Sequence, residues 1–274
     1  MISALLFGSK WARDGYKSID VIPFLKKRLL RIYIPMWILI LAVVPIEWWL
    51  LGRFEPTIII ANAVGAGWAR PFGISGHLWY ITMMMMLYVG FIIFSHFRLD
   101  KIRWYVWVSV LALFLVGYYA LQDKLTTFSK AGPLLFIYFG ALMFAKGNEL
   151  MEFAKKNKSI VLISAIIVLS LSMYVYILGW HDTHKAMAVV SFVLAGFLSF
   201  VTMYSYMNIT KGNKLMNWLS SISYEVYLVH MPIIPLTGLV AKNPYLHLSI
   251  GLVLTIILAV GLNRIVNRIV EFIK

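Results

Sequence analysis

Ser159-Ile-Val-Leu-Ile-Ser-Ala-Ile-Ile-Val-Leu-Ser-Leu-Ser-Met-Tyr-Val-Tyr-Ile-Leu-Gly-Trp180 contains no charged residue and directly follows Lys155-Lys156-Asn157-Lys158. A run of this length meets the roughly 20 residues that a helix needs to cross a hydrocarbon core of about 30 Å. Seven further stretches read the same way, at residues 33–51, 78–95, 104–121, 132–145, 186–207, 218–240 and 246–265. The expected fold is therefore all-α, a polytopic transmembrane helix bundle of eight full spans. Residues 132–145 fall short of a crossing, so that helix is expected to begin nearer Leu125 or to sit in a thinned region.

Lys and Arg alternate across these spans. From the amino terminus the connecting segments carry seven, two, three, two, four, one, two, one and three basic side chains, and the odd-numbered segments hold 19 of the 25. By the positive-inside rule those segments are cytoplasmic, which puts both ends of this chain on the cytoplasmic side of a cell membrane. Arg70, Lys124, Lys185 and Lys242 then mark the outer loops. The net charge of +14 reads as topology and lipid-headgroup contact, and no nucleic-acid partner is expected, because the charges sit in short loops.

Composition removes several chemistries. With no cysteine there is no disulfide, thiolate nucleophile or thiolate metal site. His181 and His184 alone among the histidines lie close in sequence, too little for a metal site to be expected. There is no Gly-rich phosphate loop, internal repeat or separate soluble domain; the longest hydrophilic connection is residues 8–31. Residues 1–274 read as one integral-membrane domain whose chemistry must lie among its helices or at their mouths. The opening Met1-Ile-Ser-Ala-Leu-Leu-Phe7 is apolar but too short to span. It reads either as the inner end of a cut-off helix or as a short surface anchor.

Three segments carry candidate chemistry. In Lys26-Lys-Arg28-Leu-Leu-Arg31-Ile-Tyr-Ile-Pro35, Arg28 and Arg31 share a helix face at the cytoplasmic surface. Two guanidiniums there suit either an anionic cytoplasmic cofactor or lipid phosphates. In Gly73-Ile-Ser-Gly-His77-Leu-Trp79-Tyr80, Ser75 or Gly76 caps the second span, placing His77 in its first turn as a neutral imidazole or as an interfacial residue in an aromatic belt. The run Ser220-Ser-Ile-Ser223-Tyr224-Glu225-Val-Tyr227-Leu-Val-His230-Met-Pro232 is too polar to face lipid. Ser223, Tyr227 and His230 form one stripe, either a functional surface or an interior packing network. Glu225 lies on another face and needs its own partner, such as Arg28, Arg31 or a nearby Tyr, and Pro232 and Pro235 kink the outer half of the helix. Met83 to Met86 read as packing filler. Residues 57–69 form an apolar re-entrant or surface-lying piece, and the hydroxyls of the sixth span are expected to bond to adjacent helices.

Taken in order, these segments resemble the integral-membrane acyltransferase 3 family, which contains O-acyltransferases of surface polysaccharides and related glycans. Arg28-Leu-Leu-Arg31 before Pro35 resembles its Arg-x-x-Arg segment, His77-Leu-Trp79 its His-Leu-Trp motif, and Ser223-Tyr-Glu-Val-Tyr227-Leu-Val-His230 its Ser-Tyr-x-x-Tyr-Leu-x-His run. Members usually have ten spans, the first bearing an Arg and a His regarded as the principal catalytic residue. That pair is absent from this sequence, and Ile2-Ser-Ala4-Leu-Leu-Phe7 resembles the end of the family's second span, with Ala4 in place of Gly. The resemblance implies an amino-terminally shortened member that retains the end of a preceding span.

What the resemblance implies mechanistically is acyl transfer, acetyl by family frequency, from cytoplasmic acyl-CoA to an extracytoplasmic glycan hydroxyl. Acyl-CoA serves as donor substrate, with no bound cofactor and no metal. Arg28 and Arg31 would meet its phosphates, His77 and His230 would assist proton transfer, and Trp79, Ser223, Tyr227 and Glu225 would shape the acyl or sugar site. Membrane lipids surround the bundle, and a partner protein for glycan delivery fits the small extramembrane mass. Two competing readings are a transporter or flippase-like protein, whose path the polar stripe would line, and an inactive scaffold.

Overall fold

A computed structural model of the chain describes residues 2–52, 54–67, 73–120, 131–179, 185–206 and 214–273. Trp68, Arg70, Lys124, Leu125, His181 and His184 lie outside the described residues. Every regular element among the described residues is helical. In chain order they are α1 (Ile2–Arg13), α2 (Val21–Leu51), α3 (Pro56–Ala63), a 3₁₀ helix (Gly73–Leu78), α4 (Trp79–Phe97), a short 3₁₀ turn (Leu99–Lys101) and α5 (Trp104–Ala120). There follow α6 (Ala131–Lys156), α7 (Lys158–Ile177), α8 (Lys185–Tyr206), α9 (Lys214–Val240) and α10 (Pro244–Ile273).

Six segments are long and apolar enough to cross a bilayer: Val21–Leu50, Gly76–Phe97, Leu134–Lys156, Lys158–Ile177, Ala188–Tyr206 and Pro244–Ile273. Trp104–Gly117 is a shorter apolar helix. Helix α9 has the length, at 27 residues, but its polar run sets it apart. The architecture is an all-α, multi-pass membrane bundle, and the described part of each of the eight apolar stretches falls mainly on one of its helices.

The helices group into two compact units, Met1–Ile19 with Met86–Ile209 and Asp20–Met85 with Thr210–Lys274. In the first, Ala4, Leu5, Gly8 and Trp11 form the buried stripe of α1. Gly8 lies directly on α6, where a Cβ would come within 2.6 Å of the Met143 carbonyl oxygen and 2.7 Å of that of Phe144. Across the same contact a Cβ on Gly147 would meet Leu5 at 2.7 Å, so small residues on both helices allow the backbones to approach. The apolar opening of the chain thus packs one face, Ala4 and Leu5, inside its unit, while Ile2 and Leu6 are exposed. Leu135, Phe139 and Val189 form a core between α6 and α8, with Phe139 stacked on Phe197 at 4.3 Å.

Helix α6 runs on past the apolar stretch to Lys156, while the region near Leu125, where the sequence puts an earlier start, lies outside the described residues. Two hydroxyls of α8, expected to bond to adjacent helices, bond to their own helix instead. Ser191 donates to the Ala188 carbonyl at 3.0 Å and Ser205 to that of Val201 at 2.6 Å, a local alternative to bonding across helices.

In the second unit α2 runs unbroken for 31 residues, about 46 Å at 1.5 Å per residue, so the basic segment Lys26 to Arg31 and the first span are one helix and not a loop and a span. Tyr33 donates to the Val64 carbonyl at 3.1 Å, Trp37 Nε1 to that of Ala63 at 2.8 Å, and Thr82 to that of Gly65 at 2.5 Å. These bonds fix the end of α3 against α2 and α4. Gly65 adopts φ 82°, and a Cβ there would strike the Tyr33 hydroxyl, so this junction admits only glycine. Antiparallel α9 and α10 are joined by Ala241–Asn243, where the Asn243 side chain accepts from the Tyr245 and Leu246 amides at 2.9 and 3.2 Å and Pro244 opens the helix.

Candidate functional site

All eight residues singled out as candidates belong to the second unit. Four of them, Ser223, Glu225, Tyr227 and His230, lie on α9, where helix geometry sorts Glu225 from the others. At 100° per residue, Glu225 and Pro232 project to one side and Tyr227 and His230 to roughly the other.

On the first side Glu225 is wholly buried, and neither carboxylate oxygen has a hydrogen bond among the described residues. Its compensating charge is the Arg31 guanidinium of α2, at 3.3 Å. Arg31 in turn donates to Asn267 Oδ1 at 2.8 Å and to the Ser221 carbonyl at 3.3 Å. Asn263 donates to the same carbonyl at 3.2 Å and accepts from Asn267 at 2.9 Å. The Tyr224 hydroxyl reaches the Ile32 carbonyl at 2.9 Å. One cation therefore ties α2, α9 and α10 together around a carboxylate that has no water to solvate it. Arg28, one helical turn from Arg31, sits over the Phe24 ring at 5.6 Å.

The second side carries imidazole and phenol side chains in place of an ion pair. His77 is buried in the 3₁₀ helix Gly73–Leu78, two residues before α4 and not in the α-helix's own first turn, because Trp79 is the first α-helical residue. Its Nε2 lies 3.1 Å from the Leu228 carbonyl. A carbonyl only accepts, so Nε2 donates, and Nδ1 is buried with no hydrogen-bond partner among the described residues. The Tyr227 hydroxyl donates back to the His77 carbonyl. His230 donates from Nδ1 to the Tyr227 carbonyl at 2.6 Å, which turns its Nε2 outward from the helix backbone. The two imidazoles lie 5.2 Å apart, with the Tyr227 ring 4.9 Å from His77 and Tyr80 5.1 Å from Tyr227.

Ser223 and Trp79 stand apart from this cluster. The Ser223 side chain is exposed and bonds back to the Ser220 carbonyl at 2.9 Å. Trp79 is partly exposed and meets the edge of Tyr80 at 6.2 Å. The polar stripe thus narrows to Tyr227 and His230, joined by His77.

The acyltransferase 3 family model, an acyltransferase domain, matches residues 1–264. The chain belongs to the acyltransferase 3 family. No curated protein and no solved structure matches it. Membership makes this a multi-pass membrane protein of acyltransferase type, and it gives the buried polar groups of the acyltransferase 3 chain a chemical context.

Three further residues of the site escaped the sequence reading. Asn263 and Asn267, four apart on α10, complete the Arg31 network. Glu47 is buried in α2, with its carboxylate against Gly73, where a Cβ would come within 2.6 Å of Oε2. Its signal was an ionisable residue inside an apolar span, Ile46-Glu47-Trp48. The Asn pair left a fainter one, two amides at helical spacing beside Arg264.

Proposed function

We propose that this acyltransferase 3 protein moves an acyl group, acetyl being the simplest, from cytoplasmic acyl-CoA to a hydroxyl of an extracytoplasmic glycan. The observation that carries this reading is the buried Nδ1 of His77, which has no hydrogen-bond partner among the described residues and stands beside His230. An alcohol is a poor nucleophile at neutral pH and needs a base to take its proton as it attacks. His77 Nδ1 has the free lone pair for that task, and His230 assists at the same cluster. The hydroxyl oxygen bonds to the acyl carbon, the carbon–sulfur bond breaks, and the proton passes from His77 to the departing thiolate.

Arg28 is the cation we assign to the phosphates of the donor, with Arg31 holding α2 in place through Glu225. The protein sits in the cell membrane with both ends of this chain cytoplasmic, in keeping with its charge distribution. Deleting the gene removes ester-linked acyl groups that mild alkali releases from the host's surface glycan. Residues 1–274 restore them and the His77→Asn variant does not; restoration by His77→Asn would refute the assignment. Arg28→Ala raises KM for acyl-CoA about tenfold, the share of one charge-assisted contact, and leaves KM for the acceptor unchanged. Equal loss for both substrates would mean a structural role.

A further inference from the structure

Pro232 lies inside α9 and has no N–H. The carbonyl four residues earlier, that of Leu228, therefore receives no helical hydrogen bond. Within a membrane such a carbonyl must find another donor, because no water is present to serve. The donor it has is His77 Nε2, at 3.1 Å. One residue back, the Tyr227 carbonyl holds His230 Nδ1 at 2.6 Å. Two consecutive carbonyls of the proline-opened turn thus hold two imidazoles by opposite nitrogens.

We propose that Pro232 is the positioning residue for His77. By leaving the Leu228 carbonyl without a helical donor, it fixes the imidazole in its Nε2–H form and keeps the lone pair on Nδ1. Free neutral imidazole passes its proton between the two nitrogens; here the vacant carbonyl selects one. A residue with an N–H at this position would offer Leu228 its ordinary helical partner, and the ring's claim on the carbonyl would weaken. The His77 backbone stays held by the Tyr227 hydroxyl in either case, so the ring's proton is changed while the segment remains in place. The catalytic consequence rests on His77 being the proton acceptor, whereas the tautomer is a property of the ring alone. Pro235, three residues on in the same helix, supplies the control, since its missing N–H concerns the Met231 carbonyl and not that of Leu228.

The test uses the full chain in lipid nanodiscs with ¹⁵N-labelled histidine side chains, and His77→Asn identifies the His77 signals. In the wild type, His77 gives a protonated Nε2 and an unprotonated Nδ1. Pro235→Ala keeps that pattern. Pro232→Ala moves His77 to a mixture of both forms, and its kcat for acyl transfer falls about tenfold, close to what one net hydrogen bond confers, with both KM values unchanged. A wild-type His77 protonated at Nδ1 would overturn the proposal, and that measurement needs no variant to fold. A Pro232→Ala tautomer identical to wild type would overturn it as well. A shifted tautomer with undiminished transfer would instead refute His77 as the base while upholding the hold of Pro232 on the ring.

Discussion

On one side of α9, Glu225 faces Arg31 with Asn263 and Asn267 completing the shell; on the other, the His77 and His230 rings face each other. The charged side is closed. Arg31 has three separate partners, and the network joins three helices at a point where an unpaired carboxylate would be costly. The histidine side is open, because each ring is pinned through one nitrogen, and His77 Nδ1 has no hydrogen-bond partner among the described residues. A site for proton transfer needs a group that is held firmly yet chemically unspent, and the histidine side meets that need where the ion pair does not. The ion pair instead keeps α2 and α9 in register, so that the basic end of α2 and the imidazoles belong to one framework.

Substitutions can break this contrast from either side. The largest effect is expected from His77→Asn, which lowers kcat by about 10²- to 10⁴-fold, as loss of a general base does, and leaves acyl-CoA binding unchanged. Steady-state transfer kinetics together with a binding isotherm check it. Next comes Arg31→Met, which strands Glu225 in the bundle and costs about 3–5 kcal/mol of stability, measured by denaturant unfolding in detergent. Glu225→Gln costs less, because Arg31 is 40% exposed and water can solvate the guanidinium it leaves behind. If both variants lose the same amount, the network is not organised around the buried carboxylate.

Smaller still is Tyr227→Phe, which removes the hydroxyl that holds the His77 carbonyl. It lowers stability by about 1 kcal/mol and kcat by about tenfold at most, without moving the pH profile of transfer. The smallest effect comes from a pair outside both groups, in the turn after α4. There the hydrogen bond from Arg98, at 2.9 Å, holds the Asp100 carboxyl below its ordinary range. A lowered carboxyl adds stability that is present above the unfolded value near 4 and is lost as pH falls through the folded one. Asp100→Asn should therefore flatten the wild type's acid-side loss of stability slightly and leave the neutral-pH melting point nearly unchanged.

Much of the framework was legible in the sequence because a bilayer imposes length and polarity so strictly. The described parts of the eight apolar runs fall mainly on helices, and Glu225 found its partner in Arg31, one of the candidates named for it. His77, Tyr227 and His230 came together from segments about 150 residues apart because buried polar groups seek one another in lipid. What the sequence hid was mostly backbone bookkeeping. Pro232 read as a kink, and nothing in its neighbours said that His77 would take the carbonyl it vacates. Ser223 shares the helix face of Tyr227 yet bonds to its own backbone, a choice that spacing alone does not reveal. The continuity of α2 through Lys26, Lys27 and Arg28 was likewise masked, since charge signals a membrane boundary and not a helix end.

The most direct measurement is acyl transfer in sealed proteoliposomes of uniform orientation, with labelled acyl-CoA on the face that carries Arg28 and a hydroxyl acceptor on the opposite face. Label should reach the acceptor as an alkali-labile ester, and the signal should vanish in His77→Asn vesicles that still bind the donor. Transfer that continues without His77, or that requires donor and acceptor on the same face, would contradict the account.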